Sequence, residues 1–164
     1  VLKILYSGHE NSRCTLEDAG FTRVNFVDGT TKNNTLDVDT PKGVLGGSIA
    51  TMKGDYEVGA CTGAAEIPVG MFLNDAAGKA FENEPAKASG VAPFMHSQGS
   101  VEVNVYETRN AGDTADITYA INDKLYTSVA GLLTNEGGYN GEVVGILTKV
   151  PTSEDLWMGL NLRV

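Results

Sequence analysis

The apolar residues between Ala120 and Val164 come only in short runs. Leu125-Tyr126, Leu132-Leu133, Val143 to Leu147 and Leu160 to Val164 are each closed off by turn residues at tight spacing. Turn residues fix chain reversals, and runs this short cannot nucleate a stable helix, so the stretch predicts small antiparallel strands. Glycine points the same way. It supplies 20 of the 164 residues, close to twice the ~7% typical of proteins. Glycine weakens helix interiors and supplies positive φ in turns, which favours a turn-rich β protein.

The same alternation of runs and turns extends back to Ser48. Strands are expected at Asp55 to Cys61, Ile67 to Leu73, Val101 to Tyr106 and Ile117 to Ile121. In the third of these, Val101, Val103 and Val105 alternate with Glu102, Asn104 and Tyr106, the period-two mark of a half-buried strand. Gly54-Asp55-Tyr56 followed by Val69 to Leu73 is echoed by Asn122-Asp123-Lys124 followed by Val144 to Leu147. Both halves put a glycine, Gly70 or Gly145, inside an apolar run, where a bulge or a close backbone approach is expected.

The first 47 residues read differently. Val1 to Tyr6 is apolar but for Lys3, and it reads as an inner strand or as an arm that docks on another chain. Thr15 to Gly20 resembles one helical turn, with Thr15 as N-cap and Gly20 as the stop. Phe21 to Val27 leads into the turn signal Asp28-Gly29. The polar, Gly- and Pro-containing segment from Lys32 to Gly47 reads as a linker. The expected organisation is therefore an N-terminal arm and hairpin region over 1–47 and a β-barrel domain over 48–164. Phe81 to Ser89 is the other helical candidate, interrupted by Pro85.

A chain of this length forms one domain, with or without an arm, and needs no disulfide or metal to hold a core. The net charge of −9 argues against nucleic acid as a partner, because phosphate binding needs a basic face and no Lys/Arg cluster exists. No apolar run approaches the ~20 residues of a transmembrane helix. Val1 to Tyr6 is too short for a signal-peptide core, so Cys14 and Cys61 read as two reduced, partly buried thiols, with a disulfide left open.

No catalytic set can be assembled. His9 has no second histidine at zinc-helix spacing, and His96-Ser97 lacks a nucleophile elbow, so both histidines read as loop residues. Asp37 with Asp39 and Asp113 with Asp116 supply oxygens suited to calcium, but neither pair continues into a calcium loop. Gly43 to Gly47 lacks the Lys-Ser/Thr of a phosphate loop. Asn33-Asn34-Thr35 matches a glycosylation acceptor. Trp157 reads as core or as an interface anchor. No cofactor or metal is expected, and no enzyme.

One resemblance adds to this. N-D-K-L-Y-T-S-V-A-G-L-L-T (Asn122 to Thr134), E-V-V-G-I-L-T-K-V-P-T (Glu142 to Thr152) and W-M-G-L-N-L (Trp157 to Leu162) resemble the ends of capsid decoration, or cement, proteins of tailed bacteriophages. In those the phrase G-D-x-L-Y-x-S-x-x-G-L-L-T … V-V-G-I-x-x-x-V-P-T … L-G-I-x-L recurs; here Asn122 replaces its first glycine. The resemblance covers Thr51 to Val164. It implies a small all-β fold, an antiparallel β-barrel or β-tulip, without catalytic activity. The implied place is the exterior of a virion capsid, after synthesis in the host cytoplasm. The implied partner is the major capsid protein, which a dimer or trimer of the chain would clamp. Under that reading Val1, Leu2, Ile4, Leu5 and Tyr6 form the docking arm and Trp157 an anchor. The alternatives are a tail or fibre component, or a carbohydrate-binding module using Trp157, Tyr139 or Tyr126 as stacking platforms.

Overall fold

The computed structural model describes residues 2–6, 8–16, 43–74, 76–77 and 91–164. Val1, the 21–29 hairpin, Asp37, Asp39, the glycosylation pattern, the helical candidate at 81–89 and most of the expected linker lie outside these residues. The described chain is all-β, with no helix. Its strands are β1 (Leu2–Tyr6), β2 (His9–Asn11), β3 (Thr15–Leu16), β4 (Gly43–Val44), β5 (Ile49–Gly54), β6 (Glu57–Ala60) and β7 (Pro68–Phe72). They continue with β8 (Ala76–Ala77), β9 (Phe94–His96), β10 (Ser100–Val103), β11 (Lys124–Thr127), β12 (Leu133–Thr134), β13 (Gly145–Lys149) and β14 (Met158–Leu162).

Two six-stranded sheets result. One runs β1-β10-β14-β13-β11-β12, the other β2-β9-β7-β5-β6-β3, and β4 and β8 form a small separate pair. All ladders are antiparallel except β3 with β6. Among the described residues no ladder joins the two ends of either sheet. The all-β fold expected from the sequence is what the described residues form, as two sheets that share a core.

Strand alternation builds the core. Ile49, Met71 and Met95 of the second sheet share one apolar cluster with Val101, Val103, Leu125, Leu147 and Leu160 of the first. Their sequence neighbours Ala50, Phe72 and Phe94 turn to a second cluster with Cys14, Leu16 and Val58. The second sheet is therefore buried on both faces, which accounts for the continuously apolar run Val69 to Phe72. Fully burying each large side chain contributes roughly 1.5–3 kcal/mol before entropy is counted.

Glycine acts as expected at two of these strands. A Cβ on Gly70 would overlap the Met95 carbonyl and the Phe94 ring, and one on Gly145 would lie 2.7 Å from Leu160 Cδ1 and 3.0 Å from the Asn161 carbonyl oxygen. The echo between the halves stops at this local chemistry. Gly70's strand pairs with β5 and β9, whereas Gly145's strand pairs with β11 and β14, so the glycines do not hold equivalent places.

Three expectations are corrected. Leu2–Tyr6 is the edge strand of the chain's own sheet, paired with β10, and not a detached arm. Burial decides this: Leu2 packs against the inter-sheet core, which a free arm would forgo. Thr15–Leu16 forms β3 and extends the second sheet beside Glu57–Val58, instead of opening a helical turn; Leu16 gains a buried place there. Of the described strands in the 1–47 region, β1, β2 and β3 lie in the two six-stranded sheets and β4 in the small pair with β8. The expected strand from Ile117 to Ile121 forms no ladder, and Ile121 enters a turn; Tyr119 anchors the segment by donating its hydroxyl to the Glu107 carbonyl at 2.7 Å.

Cys14 and Cys61 are both buried free thiols, and they sit in different clusters. Burial, reinforced by the Glu66 charge, pushes the Cys61 thiol up to about 11.

Candidate docking surface

β1 has an unusual outer edge. Leu2 lies opposite Val103, Lys3 opposite Glu102 and Ile4 opposite Val101, after which the register shifts so that Tyr6 faces Ser100. Leu5 is the extra residue, a bulge that turns its side chain outward. It is 62% exposed and Ile4 is 46% exposed. Among the described residues nothing pairs with the outer side of β1. Natural edge strands are usually blunted by a charge that discourages further pairing. The one charge here, Lys3, is drawn across the sheet: its ammonium lies 3.7 Å from the Trp157 ring centre and 3.7 Å from Glu102 Oε2.

The segment that presents Trp157 is tightly tied. Thr152 Oγ1 accepts the Asp155 N–H at 3.0 Å, Asp155 Oδ1 accepts the Trp157 N–H at 3.1 Å, and the Tyr106 hydroxyl donates to the Leu156 carbonyl at 3.0 Å. Lys149 Nζ lies 2.9 Å from both Glu102 Oε1 and Asp155 Oδ2. These contacts set the local electrostatics. The hydrogen bond from Lys149, helped by the Trp157 N–H, holds the Asp155 carboxyl below its usual range. Glu102 and then Asp155 hold the Lys149 ammonium above its own. Burial, with the nearby Asp155 charge, pushes the Tyr106 phenol up.

The anchoring leaves apolar surface in view. Leu156 is 60% exposed and Trp157 half-buried. Beside Leu156 opens a recess of about 350 Å³ walled by Tyr106, Ile117, Tyr119 and Val150. The structure thus brings Lys3, from the middle of the N-terminal strand, and Trp157, from near the other end of the sequence, onto one face. Of the residues singled out in the sequence, Ile4 and Leu5 are exposed along β1, Trp157 is half-buried beside Lys3, Leu2 packs inward, and Tyr6 closes the strand. The contributions of Lys3, Leu156 and the Lys149–Glu102 pair had no sequence signal, because they depend on which strands become neighbours.

Other candidates resolve otherwise. Arg109 occupies the place a calcium ion would take between Asp113 and Asp116: its Nε lies 3.1 Å from Asp113 Oδ1 and its Nη1 3.0 Å from Asp116 Oδ1. No group of three or more metal-ligating side chains occurs among the described residues. A larger recess of about 500 Å³ is lined by Glu107, Ser128, Glu136 and Tyr139. There the Ser128 hydroxyl donates to Glu107 Oε1 at 2.6 Å, and no imidazole lines the recess to act as a base.

Both tyrosines named as stacking platforms have contacts within the chain. The Tyr126 ring lies directly under Gly137, and the Tyr139 hydroxyl donates to the Thr62 carbonyl. His9 and His96 are strand residues, not loop residues. No protein-family model matches the chain, and no curated protein sequence matches it either.

Proposed function

We propose that the chain is a non-enzymatic structural protein that binds the outer surface of an assembled phage head and clamps neighbouring capsomers. The observation that carries this reading is the outer edge of β1. Among the described residues no strand pairs with the outer side of Leu2 to Ile4, so the main-chain groups of alternate residues point outward there, and the bulged Leu5 stands beside them as an apolar knob. An extended segment of a capsid subunit that adds to this edge would gain main-chain hydrogen bonds, with specificity from the pocket that receives Leu5. Trp157 and Leu156 enlarge the contact on a face already fixed by Asp155 and Tyr106. The phrases of the last third of the sequence, which resemble cement proteins, support the same reading.

The mode differs from the free-arm picture suggested by the sequence. β1 stays in its own sheet and acts as a template for the partner's strand. Each such contact is small, so the clamp would gain strength from several chains acting together, as a dimer or trimer multiplies weak contacts into avidity. The test is co-sedimentation of the purified protein with heads that lack it. Saturable binding that raises the temperature at which heads rupture supports the reading. Absence of binding, with heat resistance unchanged, rejects it.

A further inference from the structure

The chain has two histidines, and the fold sets them against each other. His9 of β2 and His96 of β9 are direct cross-strand partners, so their side chains leave the same face of the second sheet. Their ring centres are 5.7 Å apart with 27° between the planes. We propose that this pair is a binding site for one borderline divalent transition ion, of the zinc, nickel or copper class, at the rim of the sheet.

Three features carry the assignment. Distance is the first. Two imidazoles on one ion at about 2.0–2.1 Å per metal–nitrogen bond, meeting near the tetrahedral angle, put their ring centres about 5 to 6 Å apart. The observed separation falls in that interval, and the broad χ2 torsion of histidine lets the nitrogens converge by ring rotation alone.

The second feature is the hydrogen bonding around the rings. Nδ1 of His96 lies 2.9 Å from Ser97 Oγ, the kind of outer partner that fixes a ligating imidazole and leaves its other nitrogen for the metal. Ser97 is itself fixed: it adopts a positive φ of 59°, and its N–H donates to the Val164 carbonyl at 2.7 Å. No hydrogen bond reaches His96 Nε2 or either ring nitrogen of His9 among the described residues.

Access is the third. His9 is exposed on the edge strand β2, and His96 is half-buried on β9 beside it, so water can fill the remaining coordination positions. Imidazole pairs suit zinc, nickel and copper in preference to magnesium or calcium, which take oxygen ligands. The consequence is structural. An ion held by both rings would staple the three-residue β2 to β9 and, through Gly8, steady the start of the chain that carries the docking edge. The inference itself rests on the histidine geometry and not on the docking proposal.

Equilibrium dialysis against Zn²⁺ and Ni²⁺, with thermal unfolding in parallel, tests it. One ion per chain is expected, with a rise in the unfolding temperature that grows with free metal concentration. The variants His9→Gln and His96→Gln should each weaken binding at least tenfold while unfolding like the parent in metal-free buffer. Two-nitrogen hyperfine structure in the electron paramagnetic resonance spectrum of the Cu²⁺-loaded protein would identify both rings. Metal binding that both variants retain, one ion shared by two chains, or no binding at all overturns the proposal.

Discussion

The ammonium of Lys3 rests 3.7 Å from the centre of the Trp157 ring, joining the N-terminal edge strand to the segment that enters the last strand. A cation over an aromatic face at a partly exposed site is worth about 0.5–1 kcal/mol. Lys3→Ala should therefore lower the unfolding free energy by roughly that amount, measured by chemical denaturation. Trp157 is the sole tryptophan, so the folded-state emission of the variant should also shift. A variant with unchanged emission would show that the two side chains do not meet in solution.

Acid and alkali should each loosen the same segment, through different groups. Asp155 is held below its usual range by Lys149, so its stabilising contribution is present above the ordinary aspartate value near 3.9 and fades as pH falls through the lower folded value. Lys149 is held above its range by Glu102. Its contribution is present below the ordinary lysine value near 10.4 and fades as pH rises through the higher folded value. Trp157 emission should thus stay flat between about pH 4 and 10 and change outside that window. Lys149→Met should remove the alkaline limb; persistence of that limb would assign it to another group.

Asn140 is a buried link between the loop after β6 and the approach to β13. Its amide donates to the Glu66 carbonyl at 2.9 Å and the Gly63 carbonyl at 3.3 Å, and its oxygen accepts the Glu142 N–H at 3.1 Å. The same loop is braced by the Glu66 carboxylate. Burial alone would raise that carboxyl, but Lys53 and the Gly63 and Thr62 N–H groups outweigh it and hold the group low. Asn140→Ala leaves the partly buried Glu66 and Gly63 carbonyls without this donor and should cost roughly 1–3 kcal/mol. Equilibrium unfolding in urea checks this; a loss below the error of the method would mean that water replaces the amide.

Two glycines near each other in sequence should respond oppositely to alanine. At Gly145 the new methyl would press on Leu160 and the Asn161 carbonyl, an overpacking cost of about 1–3 kcal/mol. At Gly141 nothing lies within 4 Å of the added carbon. That substitution should be neutral, or stabilising by up to about 1 kcal/mol through the unfolded chain. Thermal unfolding of the two variants side by side separates the cases.

Legibility in the sequence followed the range of the interactions. Val101 and Val103 showed their buried face through simple alternation, and Gly70 and Gly145 announced close approaches, because those signals are carried within one strand. The short runs of the last third likewise gave β11, β13 and β14 within a few residues. What escaped was set by strand order. Nothing in V-L-K-I-L-Y says that its neighbour is β10 and that Lys3 will meet Trp157. His9 and His96 look unremarkable singly and become a pair only when β2 adds to β9. Ile117 to Ile121 has the composition of a strand, but pairing needs a neighbour, and Tyr119 spends its hydroxyl on Glu107 instead. Asp113 and Asp116 resembled a cation site because the sequence does not reveal that Arg109 folds in between them.

Electron cryomicroscopy of heads reconstituted with the purified protein tests the docking account most directly. The account predicts ordered density at a fixed number of copies per capsomer, with a capsid segment laid along Leu2 to Ile4, and with Leu5 and Trp157 in the contact. It also predicts that a Leu5→Lys variant, folded as the parent by circular dichroism, leaves the heads bare. Undecorated heads with the parent protein, or decoration through the opposite sheet with β1 facing solvent, would contradict it.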